Sequence, residues 1–165
     1  MAVVAIMGVL ASIAIAAFHR RAMQSNVTNA KVVIKQIAVA EEHYRAENQV
    51  YLDVSTPGEN GWYPRTTPLS NQKWSFWRSP DAETTRWRTL GPDIRQNVEF
   101  SFKANAGLPD TTPTLDTTKI TLPANVAVEP WYVIQARANA NNDSVWCMVA
   151  AASWAPEVIS VDDGE

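Results

Sequence analysis

The residues best equipped for chemistry are few and scattered. Glu41-Glu42-His43 sets two carboxylates beside an imidazole, the residue types a general acid–base pair uses. On a helix, neighbouring residues point about 100° apart. The expectation is therefore a solvated helix face, with Glu41 four residues before Arg45 in the favourable order for an ion pair. Cys147 is the sole cysteine, which excludes an intramolecular disulfide and a cysteine-built metal site. Val145-Trp146 and Met148-Val149 flank it, so a buried small hydrophobe is expected. Asn139, Asn141 and Asp143 place side-chain oxygens at alternate positions of a polar stretch, Asn139–Ser144. Calcium sites take several oxygen ligands, often more than one carboxylate. Only Asp143 is charged, so a plain hairpin turn is expected and a weak calcium site is the alternative. There is no Walker loop, no G-x-S-x-G, no H-E-x-x-H and no histidine pair at metal spacing. Neither an enzyme nor a cofactor is expected.

Residues 57–95 hold five of the ten prolines and four of the seven tryptophans. This reads as a long loop region with some local structure, anchored by Trp62, Tyr63, Trp74, Phe76, Trp77 and Trp87. Indole faces invite a sugar-binding or an electron-conduction reading, but packing within the head or between subunits is the broader expectation. The formal net charge is −3, so there is no general basic field for nucleic acid. His19-Arg20-Arg21 fits the headgroup boundary of a membrane segment better. The acidic end, ISVDDGE, reads as a solvated tail.

The elements that would position these residues begin with MAVVAIMGVLASIAIAAF. Sixteen of those eighteen residues are hydrophobic, and all 31 charged residues of the 165-residue chain follow Phe18. No Gly or Pro occurs from Val9 to Thr56. Val27, Ala30, Ile34, Ile37 and Tyr44 form one stripe at spacings of 3 and 4, widened by Val33 and Ala40. Lys31 and Lys35 mark a face toward water. One helix over residues 1–48 would be roughly 72 Å long. A compact domain of this size has a radius of gyration near 15 Å, at order-of-magnitude level. The front half must then find lipid or other copies of itself. The polar, poor helix formers Ser25–Asn29 mark the place where such a helix would break. Asn26-Val27-Thr28 fits the glycosylation pattern, but a helix is a poor acceptor.

Strand signals follow the breaker cluster Pro57–Gly61. Val98, Phe100 and Phe102 alternate with polar residues as a half-buried strand does. Lys119–Leu122, Trp131–Ala136, Val145–Ala152 and Glu157–Val161 add further runs. The fold class is α+β: a long N-terminal helix packed on a small antiparallel sheet. The layout is an apolar stalk over residues 1–24 and a head over 25–165. The head comprises the amphipathic half-helix to about residue 50, the aromatic and Pro-rich loop region 51–95, and the sheet 96–165.

The N-terminal run resembles the opening helix of bacterial type IV pilins and the related type II secretion pseudopilins. Met1, Val3, Val4, Ala5, Ile6, Gly8, Leu10, Ala11, Ile13, Ala14 and Ile15 fit the family's M-x-V-V-A-I-x-G-x-L-A-x-I-A-I run. KVVIKQIAVAEEHYRAENQVY resembles the segment that leads into the head. The match is specific over about the first 50 residues. The family's FTLIEL-like opening stretch and its assembly glutamate would lie before Met1, so the apolar run is expected to be the remainder of a longer one. Many pilins carry a helix-breaking proline where this chain has Ala16, and a cysteine pair where it has Cys147 alone.

The resemblance implies a structural filament subunit that self-associates into a helical homopolymer on a cell surface. Val3, Val4, Ile6, Met7, Val9, Leu10, Ile13, Ile15 and Phe18 would form the filament core, with Gly8 and Ala16 setting the helix's flexibility. Before assembly the stalk would sit in the inner membrane with the head in the periplasm, in contact with the pilus assembly machinery. Arg20 and Arg21 alone would orient the head to the cytoplasm, and a basic leader would compete with that signal. Without the proline, a partly or fully continuous helix from Gly8 to Ala16 is expected. The alternatives are a pseudopilin or minor pilin, and a membrane-anchored periplasmic binding module using the tryptophan loop.

Overall fold

The computed structural model describes residues 2–56, 61–65, 72–77, 82–113, 115–116, 120–121, 128–139 and 145–161, without the side chains of 2–5, 9, 16, 19, 82 and 156. Helix α1 spans Ala2–Asn48, 47 residues without interruption. At 1.5 Å per residue it is about 70 Å long. It runs straight through Gly8 and through Ser25–Asn29, so neither position breaks it. At the second, the Thr28 hydroxyl donates to the Gln24 carbonyl at 2.8 Å, which satisfies the polar side chain inside the helix. The helix stops at Gln49, whose φ of 65° is left-handed and whose N–H donates to the Arg45 carbonyl at 2.8 Å.

The second half of α1 is anchored by the stripe read from its periodicity. Val27, Ala30, Val33, Ile34 and Ile37 are all buried. They pack on a four-stranded antiparallel meander in the order β3 (Ser101–Gly107), β4 (Trp131–Ala138), β5 (Cys147–Ala152) and β6 (Ala155–Val161). The register pairs Phe102 with Ala136 and Ala136 with Val149. Residues 102, 104, 134, 136, 149 and 151 therefore share the helix-facing side. Three of those six are alanines, and small side chains let a helix lie close to a sheet. Cys147 lies on this face, buried, as expected for a small hydrophobe.

The other side of the sheet is covered as well. Trp62, Ile120, Trp131, Val133, Met148, Ala150, Ala152 and Ala155 form a second buried cluster. Two covered faces explain why every residue of β4 is buried and why no in–out alternation of burial appears along it. They also correct the reading of Val98, Phe100 and Phe102 as one half-buried strand. Val98 belongs to β2 (Asn97–Val98), which pairs with β1 (Trp74–Ser75) in a separate two-stranded sheet. The chain bends at 99–100 and enters β3 at Ser101, and the first four residues of β3 are buried on both sides.

The local structure expected within 51–95 consists of β1 and helix α2 (Ala82–Leu90). Two further readings change. Of Lys119–Leu122, Ile120 and Thr121 lie outside any strand, and Lys119 and Leu122 fall outside the described residues. Glu41 does not face solvent. It continues the Ile34–Ile37–Tyr44 stripe and is fully buried, while Arg45 pairs with Glu129 at 2.9 Å instead of with Glu41. The tail residues 162–165 and most of the 57–61 breaker cluster lie outside the described residues.

Gly91 ends α2 with φ 68° and donates its N–H to the Trp87 carbonyl at 2.9 Å. A side chain in this left-handed region costs about 1–2 kcal/mol. Gly91→Ala should lower the urea unfolding free energy of the head by about that amount, without changing the far-ultraviolet circular dichroism of the folded protein.

Candidate functional site

The first half of α1 is the surface with the clearest demand for a partner. Ile6, Met7, Leu10, Ile13, Ile15 and Phe18 are 59–71% exposed. Successive residues of a helix turn by about 100°, so these six side chains spread over roughly 200° of its circumference, and no charged residue occupies the rest. A helix apolar on every side is buried in something other than its own domain. By length and composition α1 can cross a membrane, and its most apolar window is not buried by the rest of the chain. No atom comes near a Cβ built at Gly8, so this position is open on its outer side. Of the core set expected from the sequence, the side chains of Val3, Val4 and Val9 lie outside the description, as does that of Ala16.

The second half of α1 fixes the stalk to the head through apolar packing and a polar joint at its end. Arg45 donates to Glu129 at 2.9 Å and to the Tyr51 hydroxyl at 2.8 Å, and Tyr51 in turn donates to Glu42 at 2.8 Å. The bond to Glu129, then that to Tyr51, pushes the Arg45 pKa up. Tyr51 meets Tyr132 edge to face at 4.8 Å. Burial, then the nearby Glu42, pushes the Tyr132 hydroxyl well above its usual range. Further along the helix, Gln36 donates to the Asp93 carbonyl at 3.0 Å and accepts from Gln96 at 3.3 Å, tying α1 to the segment after α2.

The six aromatics of the 51–95 region are mostly interior. Trp62, Tyr63, Phe76 and Trp87 are buried, and Trp74 and Trp77 are half-buried. Tyr63, Phe76 and Trp87 pack with ring centroids 5.0–5.7 Å apart, and Trp77 donates its indole N–H to the Ile94 carbonyl at 2.8 Å. Trp62 lies in the outer cluster with the Arg137 guanidinium 4.3 Å from its ring, and Trp74 carries Arg65 at 4.0 Å. Four of the six rings therefore build the head's core, and Arg65 lies over the ring of half-buried Trp74. Of the calcium candidates, Asn139 follows β4 half-buried, and Asn141 and Asp143 fall outside the described residues. Among the described residues no three His, Cys, Asp or Glu side chains come close enough to hold a metal ion.

The sequence missed Glu41 as a buried group and α2 as an element. Both signals were present. Glu41 sits at the stripe's own spacing, and Gly91-Pro92 is a helix stop.

No protein-family model matches the chain, and no curated protein or solved structure matches it either.

If the aromatic cluster is structural, Trp87→Ala should cost about 3–5 kcal/mol of head stability. Trp74→Ala, at a half-buried position, should cost less. Urea titration of the two variants followed by circular dichroism measures both.

Proposed function

We propose that the chain is a structural subunit of a type IV pilus-like filament and assembles by bundling the first halves of many α1 helices. One observation carries this reading most: an apolar half-helix stands clear of a head that already has two packed clusters of its own. A long apolar N-terminal helix joined to an antiparallel sheet is compatible with a pilin-like fold, and the residue-by-residue likeness of the first 50 residues supports the same reading.

On this reading lipid covers the stalk before assembly, with the head in the periplasm. Sister helices cover it afterwards, on the cell surface. Apolar burial contributes about 25 cal/mol per Å², so exchanging lipid for packed neighbours keeps the stalk out of water at every stage. Contacts that repeat head-to-tail without closing generate an open helix of subunits. Pseudopilins and minor pilins would use the same surface, and the length of the filaments separates them from a major subunit. The binding-module reading loses its main support, because the rings it needs are largely interior.

Leu10 is 61% exposed in the middle of the stalk. A lysine at a helix centre costs about 2.5–3.5 kcal/mol in a bilayer, and burial in a helix bundle penalises it likewise. Leu10→Lys should abolish filaments seen by negative-stain microscopy, while leaving the urea midpoint of the head unchanged. Monodisperse particles from the wild-type chain under every assembly condition would overturn the proposal.

A further inference from the structure

Glu41 is fully buried on the core side of α1, in line with Ile34, Ile37 and Tyr44. Its Oε2 accepts the Leu52 N–H at 3.0 Å, and its Oε1 has no hydrogen-bond partner. The acidic groups that act on it most, Asp53 and Glu42, share its sign. Asp53 is held in place by the Asn105 side-chain amide at 2.9 Å and the Ala106 N–H at 3.3 Å. From the elements packed around it come Glu42 and Arg45 of α1, Tyr51 and Asp53 of the following segment, Glu129 ahead of β4, and Tyr132 on β4. Arg45, the nearest cation in sequence, is turned toward Tyr51 and Glu129.

The segment bonded to Glu41 is a strap. Residues 49–56 leave the end of α1 and cover the outer edge of β3. Ser55 N–H donates to the Ala104 carbonyl, Ala104 N–H donates to the Ser55 hydroxyl, and Asn105 donates to the Ser55 carbonyl, each at 3.0 Å. Through Leu52 the strap also rests on the Glu41 carboxyl. A neutral carboxyl fits this dry, acidic surrounding. An ionised one would sit without a cation and with only one donor, an arrangement that is costly until water reaches it.

We propose that Glu41 is a protonation latch, whose neutral carboxyl holds the strap 49–56 against α1 and the β3 edge and whose ionisation favours release of the strap. Burial outweighs the Leu52 hydrogen bond and raises the carboxyl from 4.5 to about 8. When the strap is open and the group hydrated, it titrates near its ordinary value. The closed state therefore binds the extra proton, and linkage fixes the sign. Closure is most favourable below about pH 4.5 and loses up to roughly tenfold in its equilibrium constant per pH unit until about pH 8, where the loss levels off.

The test is nuclear magnetic resonance of the full chain in detergent micelles. The Glu41 carboxyl carbon and the Leu52 amide should titrate together with a midpoint near 8. Protection of the Leu52 and Ser55 amides, corrected for the intrinsic pH dependence of exchange, should fall about tenfold per pH unit up to that midpoint. Glu41→Gln keeps an acceptor for Leu52 and cannot ionise, so its corrected protection should be independent of pH. Three results would overturn the proposal: a carboxyl midpoint near 4.5, flat wild-type protection between pH 5 and 8, or a Glu41→Gln strap that loosens as the wild type does. The wild-type titration decides the matter by itself if the variant does not fold.

Discussion

A single rigid helix about 70 Å long is attached to a head that covers only its second half, and the rest of the structure depends on that mismatch. A helix forms its hydrogen bonds internally, so it can extend past its domain without orphaning its backbone. Its side chains have no such freedom. Over residues 25–48 they sort into one buried stripe and one wet face, which a single sheet satisfies. Over residues 6–18 the large apolar side chains spread over roughly 200° of the circumference, a wider arc than the single stripe that packs on one sheet. An environment that surrounds the helix covers that arc, either the hydrocarbon of a bilayer or a bundle of similar helices. The proposed filament role follows from that geometry more than from any single residue.

The head's construction answers a second demand. Its sheet receives α1 on one face, and although an antiparallel sheet can leave its other face to water, here that face is covered as well. Trp62, Trp131 and Met148 cover that side, with Ile120 reaching in from an irregular segment. Two polar contacts lie among them: Lys103 meets Asp116, and Gln135 accepts the Asp116 N–H at 3.0 Å. The tryptophans concentrated in this chain thus supply large buried area to a domain in which three of the six helix-facing residues 102, 104, 134, 136, 149 and 151 are alanines.

What the sequence made legible was whatever repeats. The stalk, the spacing-3-and-4 stripe from Val27 to Tyr44, and the runs that became β4, β5 and β6 all declare themselves by period or by continuous apolarity. What it hid was non-periodic. Val98 and Phe102 look like one strand because alternation does not record the bend at 99–100 that sends them to different sheets. Helix α2, nine residues long, offers too few turns for a periodic signal and is marked chiefly by its stop at Gly91-Pro92. The aromatic region left a binding loop open beside the expected packing, because tryptophan composition is the same for a ring in a core and a ring on a surface. Only burial separates the two.

Glu41 shows how a periodic signal can be present and still be misread. Residue type argued for solvent, whereas position argued for the core, and position prevailed because Ile37 and Tyr44 on either side fix the helix's rotation. The carboxyl could not be turned outward without taking that stripe with it. What relieves the resulting strain must therefore be the partner that can move. Helix α1 is continuous and packed along its whole second half, whereas the strap 49–56 is a short segment held by hydrogen bonds to β3, by the carboxyl itself, and by Tyr51 and Val54 in the core. Ionisation consequently acts on the strap and leaves the stalk's direction unchanged. A change of pH would alter the edge of the head that β3 presents to its surroundings, while the direction of α1 stays the same.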